Sequence, residues 1–248
     1  MMTYQEQTAT TANNLANVDT AGFKSDLLLF TSAPSIHTWR VDDPATIDRR
    51  GQTSPEYIGL TNAGTADTEI WRDFTPGQLV QTNRPLDVAI TGDGFFRMRG
   101  ADGVEVYTRD GQFKLTPDGF LVDNQGRRVQ GLNGAINVGA SNDVNINASG
   151  EVWVDGAQVE RINLAFFSDP QQQLTKVGDN AWSANTAPDS VGVTDVRAGF
   201  VERSNVDVFR CLGEMIVQLR NYEAAQKVVQ AEDATLDLTA NQIGKMPQ

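Results

Sequence analysis

Few residues in this 248-residue chain are of the types that perform chemistry, and their spacing assembles no familiar site. The single histidine, His37, lies between Ile36 and Thr38. One imidazole cannot build a histidine-based zinc site, and a triad needs a nucleophile close by that this segment does not supply. The single cysteine, Cys211, has no disulfide partner in the chain and sits beside Leu212, so it reads as a buried thiol rather than a reactive one. Gly92-Asp93-Gly94 runs into Phe95-Phe96-Arg97, which suits the start of a strand better than a phosphate cradle. Asp102-Gly103, Asp110-Gly111 and Asp118-Gly119 invite a calcium reading, yet none lies in a loop with the alternating ligands of an EF-hand. Asp87 and Asp93 come nearest to a glycosidase acid and base, but no sequence feature sets two carboxylates across a cleft. The expectation is no catalytic residue, no cofactor and no metal ligand.

Composition narrows the partners. Formal net charge is −12 and the pI is near 4.5, which argues against nucleic acid or an anionic membrane, because both require clustered Lys and Arg. Hydrophobic residues make up 40%, enough for an ordinary core. No stretch approaches the ~20 apolar residues of a membrane span, and residues 1–19 lack the basic and apolar regions of a secretory signal.

The elements follow from periodicity. From Ser204 to Ile243, steps of four and three pick out Val208, Leu212, Met215, Leu219, Tyr222, Gln226, Val229, Asp233, Leu236, Ala240 and Ile243, a heptad seam broken by Gln226 and Asp233. No Pro interrupts it, and at ~1.5 Å per residue the helix reaches about 50–60 Å, more than a small domain needs for its own core. Ser204 is placed to cap its first turn, and Asp207 has the favourable sign there. Near the N-terminus, Tyr4, Thr8, Thr11, Leu15 and Val18 repeat the same spacing in a weakly apolar helix that ends before Gly22. Between Thr31 and Phe74, Pro34, Pro44 and Pro55 with scattered charges break every period, which predicts an extended connector with short strands near 56–60 and 69–74. From Thr75 onward, short alternating runs such as Leu86–Ile90, Phe95–Arg99 and Val104–Arg109 are separated by Asp-Gly or Gln-Gly pairs, the chemistry of tight hairpins. The fold expected is α+β: a mainly β central domain built as a hairpin meander over 75–203, a connector over 31–74, and helical segments over 1–30 and 204–248 that pair as a coiled coil.

Three stretches resemble the bacterial flagellar rod and hook proteins. Asn13-Asn-Leu-Ala-Asn-Val-Asp-Thr-Ala-Gly-Phe-Lys24 looks like the N-terminal signature of that family. Thr82-Asn-Arg-Pro-Leu-Asp-Val-Ala-Ile-Thr-Gly-Asp-Gly-Phe-Phe96, with Tyr107-Thr-Arg-Asp-Gly-Gln-Phe113, is similar to the opening of its β-domain. Gly199-Phe-Val-Glu-Arg-Ser-Asn-Val206 with Arg220-Asn-Tyr-Glu223 looks like its C-terminal helix. The resemblance implies a D1-type β-domain, a discontinuous D0 domain of paired terminal helices, and a structural subunit of the basal-body rod. It also implies export through the flagellar type III apparatus without a cleaved signal, and helical polymerisation in the periplasm with copies of itself and other rod subunits. Thr-Asn-Arg-Pro-Leu-Asp and the modest length lean toward the proximal rod, ahead of the distal rod and the hook. Family members carry more residues before Asn13 than the twelve here, so an in-frame upstream start is expected.

On this reading the assembly surface is Asn13, Asn14, Leu15, Asn17 and Val18 with Val208, Leu212, Met215, Leu219, Tyr222, Gln226, Val229, Leu236 and Ile243. The asparagines are assigned to hydrogen bonds between helices, and Gln226 and Asp233 to the register. Burial of the apolar members, at about 1.5–3 kcal/mol per large side chain, would drive polymerisation. The rival is a carbohydrate-binding or hydrolytic β-domain with a dimerising tail. Its discriminating feature, a row of aromatics to stack on sugars, is missing: Trp71, Trp153 and Trp182 are scattered.

Overall fold

The computed structural model describes residues 2–33, 35–40, 56–62, 65–139, 143–178, 180–192 and 195–243. They divide into two compact units, one of Met1–Thr10, Leu27–Trp71 and Gln218–Gln248, the other of Thr11–Asp26 and Arg72–Val217. The first helix, α1 (Met2–Ala16), and the last, α3 (Val208–Ile243), each contribute to both units. A single helical turn, α2 (Pro170–Gln173), lies between them in sequence.

The first unit holds β1 (Asp26–Ser32), β2 (Ser35–Arg40), β3 (Glu56–Asn62) and β4 (Thr65–Arg72), in which β1 pairs with β4 and β2 with β3. The β2–β3 ladder is antiparallel from Ser35↔Asn62 to Arg40↔Glu56, with an irregularity at Thr38/Trp39. Across it the hydroxyls of Thr38 and Thr61 lie 2.7 Å apart and the rings of Trp39 and Tyr57 meet edge-on at 5.1 Å. The short strands expected near 56–60 and 69–74 are present as β3 and β4, and β1 and β2, which were not expected, pair with them. Aromatic and β-branched residues at Ile36, Thr38, Trp39, Tyr57 and Thr61 suit a pleated ribbon, and runs this short carry too few repeats for periodicity to register. Pro34, Pro44 and Pro55, used to argue for the connector, lie outside the described residues.

The second unit is antiparallel β. Its strands are β5 (Leu79–Gln81), β6 (Val88–Ile90), β7 (Phe95–Arg99), β8 (Glu105–Thr108), β9 (Lys114–Leu115), β10 (Leu121–Val122), β11 (Arg128–Val129), β12 (Val144–Ile146), β13 (Glu151–Val154), β14 (Ala157–Arg161), β15 (Leu164–Phe166), β16 (Leu174–Gly178), β17 (Ala181–Ala184), β18 (Ser190–Gly192), β19 (Val196–Ala198) and β20 (Phe200–Glu202). Nine of them form one sheet, ordered β16-β17-β8-β7-β11-β10-β9 with β15 also on β7 and β18 on β15. A three-stranded sheet β12-β13-β14 and the pairs β6–β19 and β5–β20 complete the unit.

Strand alternation explains the Phe-Phe pair at the start of β7. Successive side chains point to opposite faces, so Phe96 enters the main core with Met98, Val106, Phe113, Leu121 and Val129, stacking edge-on with Phe113 at 5.1 Å. Phe95 enters a second cluster with Tyr107, Phe167, Leu174 and Trp182 on the other face.

The expected hairpins form across Asp102-Gly103, Asp118-Gly119, Gln125-Gly126 and Asp155-Gly156, which join β7–β8, β9–β10, β10–β11 and β13–β14. Asp110-Gly111 departs from the pattern. The strands flanking it, β8 and β9, do not pair with each other; Gly111 instead passes Val88, accepting its N–H at 2.9 Å, and a Cβ there would fall 1.7 Å from the Val88 carbonyl oxygen. Glycine is needed at this position for close approach of two backbones rather than for a turn.

One buried ionic cluster ties the unit together. Lys24 Nζ lies 2.5 Å from Glu202 Oε1 on β20 and donates to the Thr75 carbonyl at 2.7 Å. Gly77 N–H donates to the same Oε1 at 2.9 Å, while Arg109 reaches Glu202 Oε2 at 3.3 Å and the Gly92 carbonyl at 2.8 Å. All three charged side chains are buried. Burial pulls Lys24 and Arg109 below their ordinary pKa values against the opposing pull of Glu202, which serves two cations at once. Removing one member of such a cluster strands the others without compensation. Glu202→Gln is expected to cost roughly 3–5 kcal/mol in urea unfolding followed by near-UV circular dichroism. The double variant Lys24→Met/Glu202→Gln should lose less than the sum of its two single variants.

Candidate assembly interface

The Asn13–Lys24 segment is built into the β-rich unit by its own side chains. Asn14, only 5% exposed, mimics a peptide group: its Nδ2 donates to the Asp26 carbonyl at 2.7 Å and its Oδ1 accepts the Asp26 N–H at 2.9 Å. Both ends of its amide are thus engaged inside the chain. Asn17 donates back to the Asn13 carbonyl at 2.8 Å and accepts from Thr20 Oγ1 at 3.2 Å, so it closes the end of α1. Asn13 remains exposed and Leu15 half-buried. Gly22 takes the left-handed conformation expected from its type (φ +64°) and donates to the Glu202 carbonyl at 2.8 Å; a Cβ would meet the Arg109 backbone at 2.4 Å.

Directly beyond, Phe23 packs with Val206 and Cys211, and Val18 covers them. This small apolar cluster joins the end of α1 to the beginning of α3. Asn205 holds the approach, accepting the Ser25 N–H at 2.9 Å and donating to the Asp73 carbonyl at 2.8 Å. The helix cap lies three residues later than expected. Asp207 Oδ1 accepts from Phe209 and Arg210 N–H at 2.9 and 3.1 Å, while Ser204 Oγ accepts only from Val206. With Asn205 anchored to the loop, the chain cannot coil until Asp207, whose carboxylate satisfies first-turn donors and suits the helix dipole.

Along α3 the covered stripe is Cys211, Met215, Gln218, Tyr222 and Ala225, again at steps of four and three. It shares Met215 and Tyr222 with the expected seam, and Val208 is half-buried. Leu212, Leu219, Gln226, Val229 and Leu236 face solvent; the side chain of Ile243 lies outside the described residues. In the first unit, Tyr222 OH accepts from Gln5 Nε2 on α1 at 3.4 Å and from Gln226 Nε2 at 3.2 Å. Gln226 thus spends its amide within its own helix. The exposed apolar stripe runs through Phe209 (88% exposed), Leu212 (43%), Ile216 (53%) and Leu219 (47%); Leu212 and Leu219 belong to the expected seam, and Phe209 and Ile216 are the members that seam did not include. Its signal was legible at spacings of three and four from Phe209, but the expected heptad was phased from Val208.

The polar residues raised as catalytic candidates fall elsewhere. His37 stacks beside Tyr57 at 5.6 Å on the β2–β3 ribbon, and Asp87 is buried with Arg84 at 3.7 Å whereas Asp93 is exposed. Among the described residues no group of three or more His, Cys, Asp or Glu is arranged to hold a metal, and no described helix is long and apolar enough to cross a membrane.

Burial, reinforced by Glu214, raises the Cys211 thiol pKa, so its reactive thiolate is scarce in the folded chain. Cys211 is expected to react with iodoacetamide far more slowly in the native chain than in urea. Phe23→Ala should remove most of that protection and cost about 3–5 kcal/mol in stability.

Comparison with known proteins places these elements in one family. Residues 1–24 match the family described as flagella basal body rod protein, residues 89–154 the flagellar hook protein FlgE/F/G D1 domain, and residues 197–243 the flagellar basal body rod FlgEFG protein C-terminal region. The flagellar basal-body rod protein FlgG of Buchnera aphidicola subsp. Baizongia pistaciae is 33% identical over 240 residues, covering 91% of this chain and 89% of its own. FlgG of Bacillus subtilis is 32% identical, covering 97% and 95%, and FlgF of Caulobacter vibrioides is 31% identical, covering 99% and 94%. The three matched regions contain the asparagine-anchored end of α1, the doubly packed β7 and the capped α3, and with relatives this similar along nearly their whole length the chain belongs to the flagellar basal-body rod protein family.

Proposed function

We propose that this protein is a non-catalytic building block of the proximal rod, exported without a cleaved signal and polymerised in the periplasm through its terminal helices. The observation that carries the reading is the apolar stripe Phe209, Leu212, Ile216 and Leu219, left in water on a helix that a monomer has no use for exposing. Val229 and Leu236 extend the apolar surface farther along the same helix. Burying such side chains against a neighbour stabilises each contact by about 1.5–3 kcal/mol per large residue. In this arrangement the coiled-coil partners of α3 come from adjacent subunits and from the exposed part of α1, Asn13 included. Met215 and Tyr222 stay turned toward their own chain.

The β-rich unit then forms the outer wall, since its core is complete without a partner. Thr82-Asn-Arg-Pro-Leu-Asp87 supports the proximal rather than the distal position, and rod proteins of both names match at similar identity.

Leu212→Asp/Leu219→Asp is expected to abolish sedimentable polymer while leaving the circular dichroism and melting temperature of the monomer unchanged. Polymer formed normally by this variant would overturn the assembly role of α3. Imaging of isolated basal bodies carrying a tag in the Asp155-Gly156 turn should show label at the base; label toward the tip would assign the distal rod, and its absence would refute a rod subunit.

A further inference from the structure

Where β7 turns into β8 and β10 into β11, the nine-stranded sheet carries a cleft of about 410 Å³, within the volume range of sites that enclose small ligands or single side chains. Arg99, Arg128 and Gln130 line it with the small residues Gly103 and Gly126, and no acidic residue is among its described lining. In the antiparallel register Arg128 stands directly opposite Arg99, and like charges so placed repel across a sheet. Glu105, opposite Arg99 on its other side, is shared between two cations: it accepts from Arg99 Nη2 at 2.6 Å and from Arg97 Nη2 at 3.0 and 3.2 Å. Asp102, in the β7–β8 turn, accepts the Val104 N–H at 3.1 Å. Donors are therefore in surplus. Arg97 keeps a buried Nε without an acceptor. Arg128 is exposed, its guanidinium lies over the Phe120 ring at 4.0 Å, and its side chain makes no hydrogen bond or ion pair with a described residue. A guanidinium held by its face keeps its N–H groups unspent along its rim.

We propose that this cleft receives the Asp118 carboxylate of a neighbouring copy of the chain. Two neighbouring guanidinium groups with donors to spare fit a planar carboxylate, which takes N–H groups on both oxygens and offsets the repulsion between Arg99 and Arg128. A second copy is the source because the chain carries 32 acidic against 20 basic residues, so its copies repel except where a basic patch of one meets an acidic tip of the next. Asp118 is such a tip. It is exposed in the β9–β10 turn between Pro117 and Gly119, and its carboxylate meets no donor or cation among the described residues. The turn is fixed from within: Gly119 N–H donates to the Thr116 carbonyl at 2.9 Å, Thr116 N–H to the Phe120 carbonyl at 2.9 Å and Phe120 N–H to Thr116 Oγ1 at 3.0 Å. With Pro117 restricting its own φ as well, docking this carboxylate costs little ordering entropy. Cleft and tip are made by different residues, so each copy hosts one neighbour while docking into another, the requirement for an open chain of copies. The identity of the partner rests on the rod reading; the binding chemistry does not.

The test uses the full-length monomer, isotopically labelled and titrated with acetyl-Thr-Pro-Asp-Gly-amide, a copy of residues 116–119. Saturable shifts of the Arg99 and Arg128 side-chain Nε–H signals are expected, with binding at least about tenfold weaker when Asn replaces Asp in the peptide. Arg128→Glu, at an exposed strand position, sets a carboxylate beside Arg99 and should lose the probe with the circular dichroism of the fold unchanged. Arg128→Glu and Asp118→Arg should each slow polymerisation of the full chain. An equimolar mixture of the two should restore it, because every altered cleft then meets an altered tip and every native cleft a native tip. No saturable shift, equal binding of the Asn peptide, or probe binding retained in Arg128→Glu would overturn the site. A mixture that polymerises no faster than either variant alone would overturn the neighbour's Asp118 as its occupant. Failure of the unmodified chain to polymerise at all would count against the rod reading alone, because binding is read on the monomer.

Discussion

Glu202 is the residue on which the β-rich unit depends. Its carboxylate, buried near the end of the last strand, accepts from Lys24, Gly77 and Arg109, so segments separated by as many as 178 positions converge on one pair of oxygens. Two cations facing one anion in a buried site is costly unless every donor finds an acceptor. The remaining donors go to backbone carbonyls, of Thr75 from Lys24 and of Gly92 from Arg109, which fixes those loops as well. The Gly22 N–H bonded to the Glu202 carbonyl sets the backbone of the N-terminal segment against the same strand.

Around that point the chain ends are turned into parts of the β-rich body. Asn14 clasps Asp26, Asn205 clasps Ser25 and Asp73, and Phe23, Val206 and Cys211 seal the space between. The C-terminal end of α1 and the start of α3 are therefore both tied to the β-rich unit. From that base α3 runs to Ile243 with most of its apolar side chains in water. This exposure is what the proposed assembly role of α3 rests on.

The motifs of the family acquire distinct physical meanings in this arrangement. In Asn13–Lys24, Asn14 and Asn17 shape the end of a helix, Gly22 permits close approach, Phe23 packs and Lys24 carries buried charge. None of these roles requires a ligand. In the Arg84–Phe96 stretch, Phe95 and Phe96 serve opposite faces of one strand, joining two clusters through the sheet. A segment that could be taken for a recognition motif is thus largely the framework that holds helix and sheet together.

The sequence by itself determined the α+β class, most of the hairpins and the long uninterrupted C-terminal helix, because these depend on local spacing, turn chemistry and residue type. Tertiary structure alone decided matters that hinge on which distant groups meet. It paired the strand expected near 56–60 with an unexpected partner, β2, moved the helix cap from Ser204 to Asp207 and drew Asn14 inward. It also showed Asp110-Gly111 to be a backbone crossing, and it set which stripe of α3 is covered. A heptad reading counts apolar positions but cannot phase them against a neighbour it does not contain. The choice between Leu212 and Cys211 as inward residues therefore rested on Phe23, 188 positions away, and on the Lys24–Glu202 pair that holds Phe23 in place.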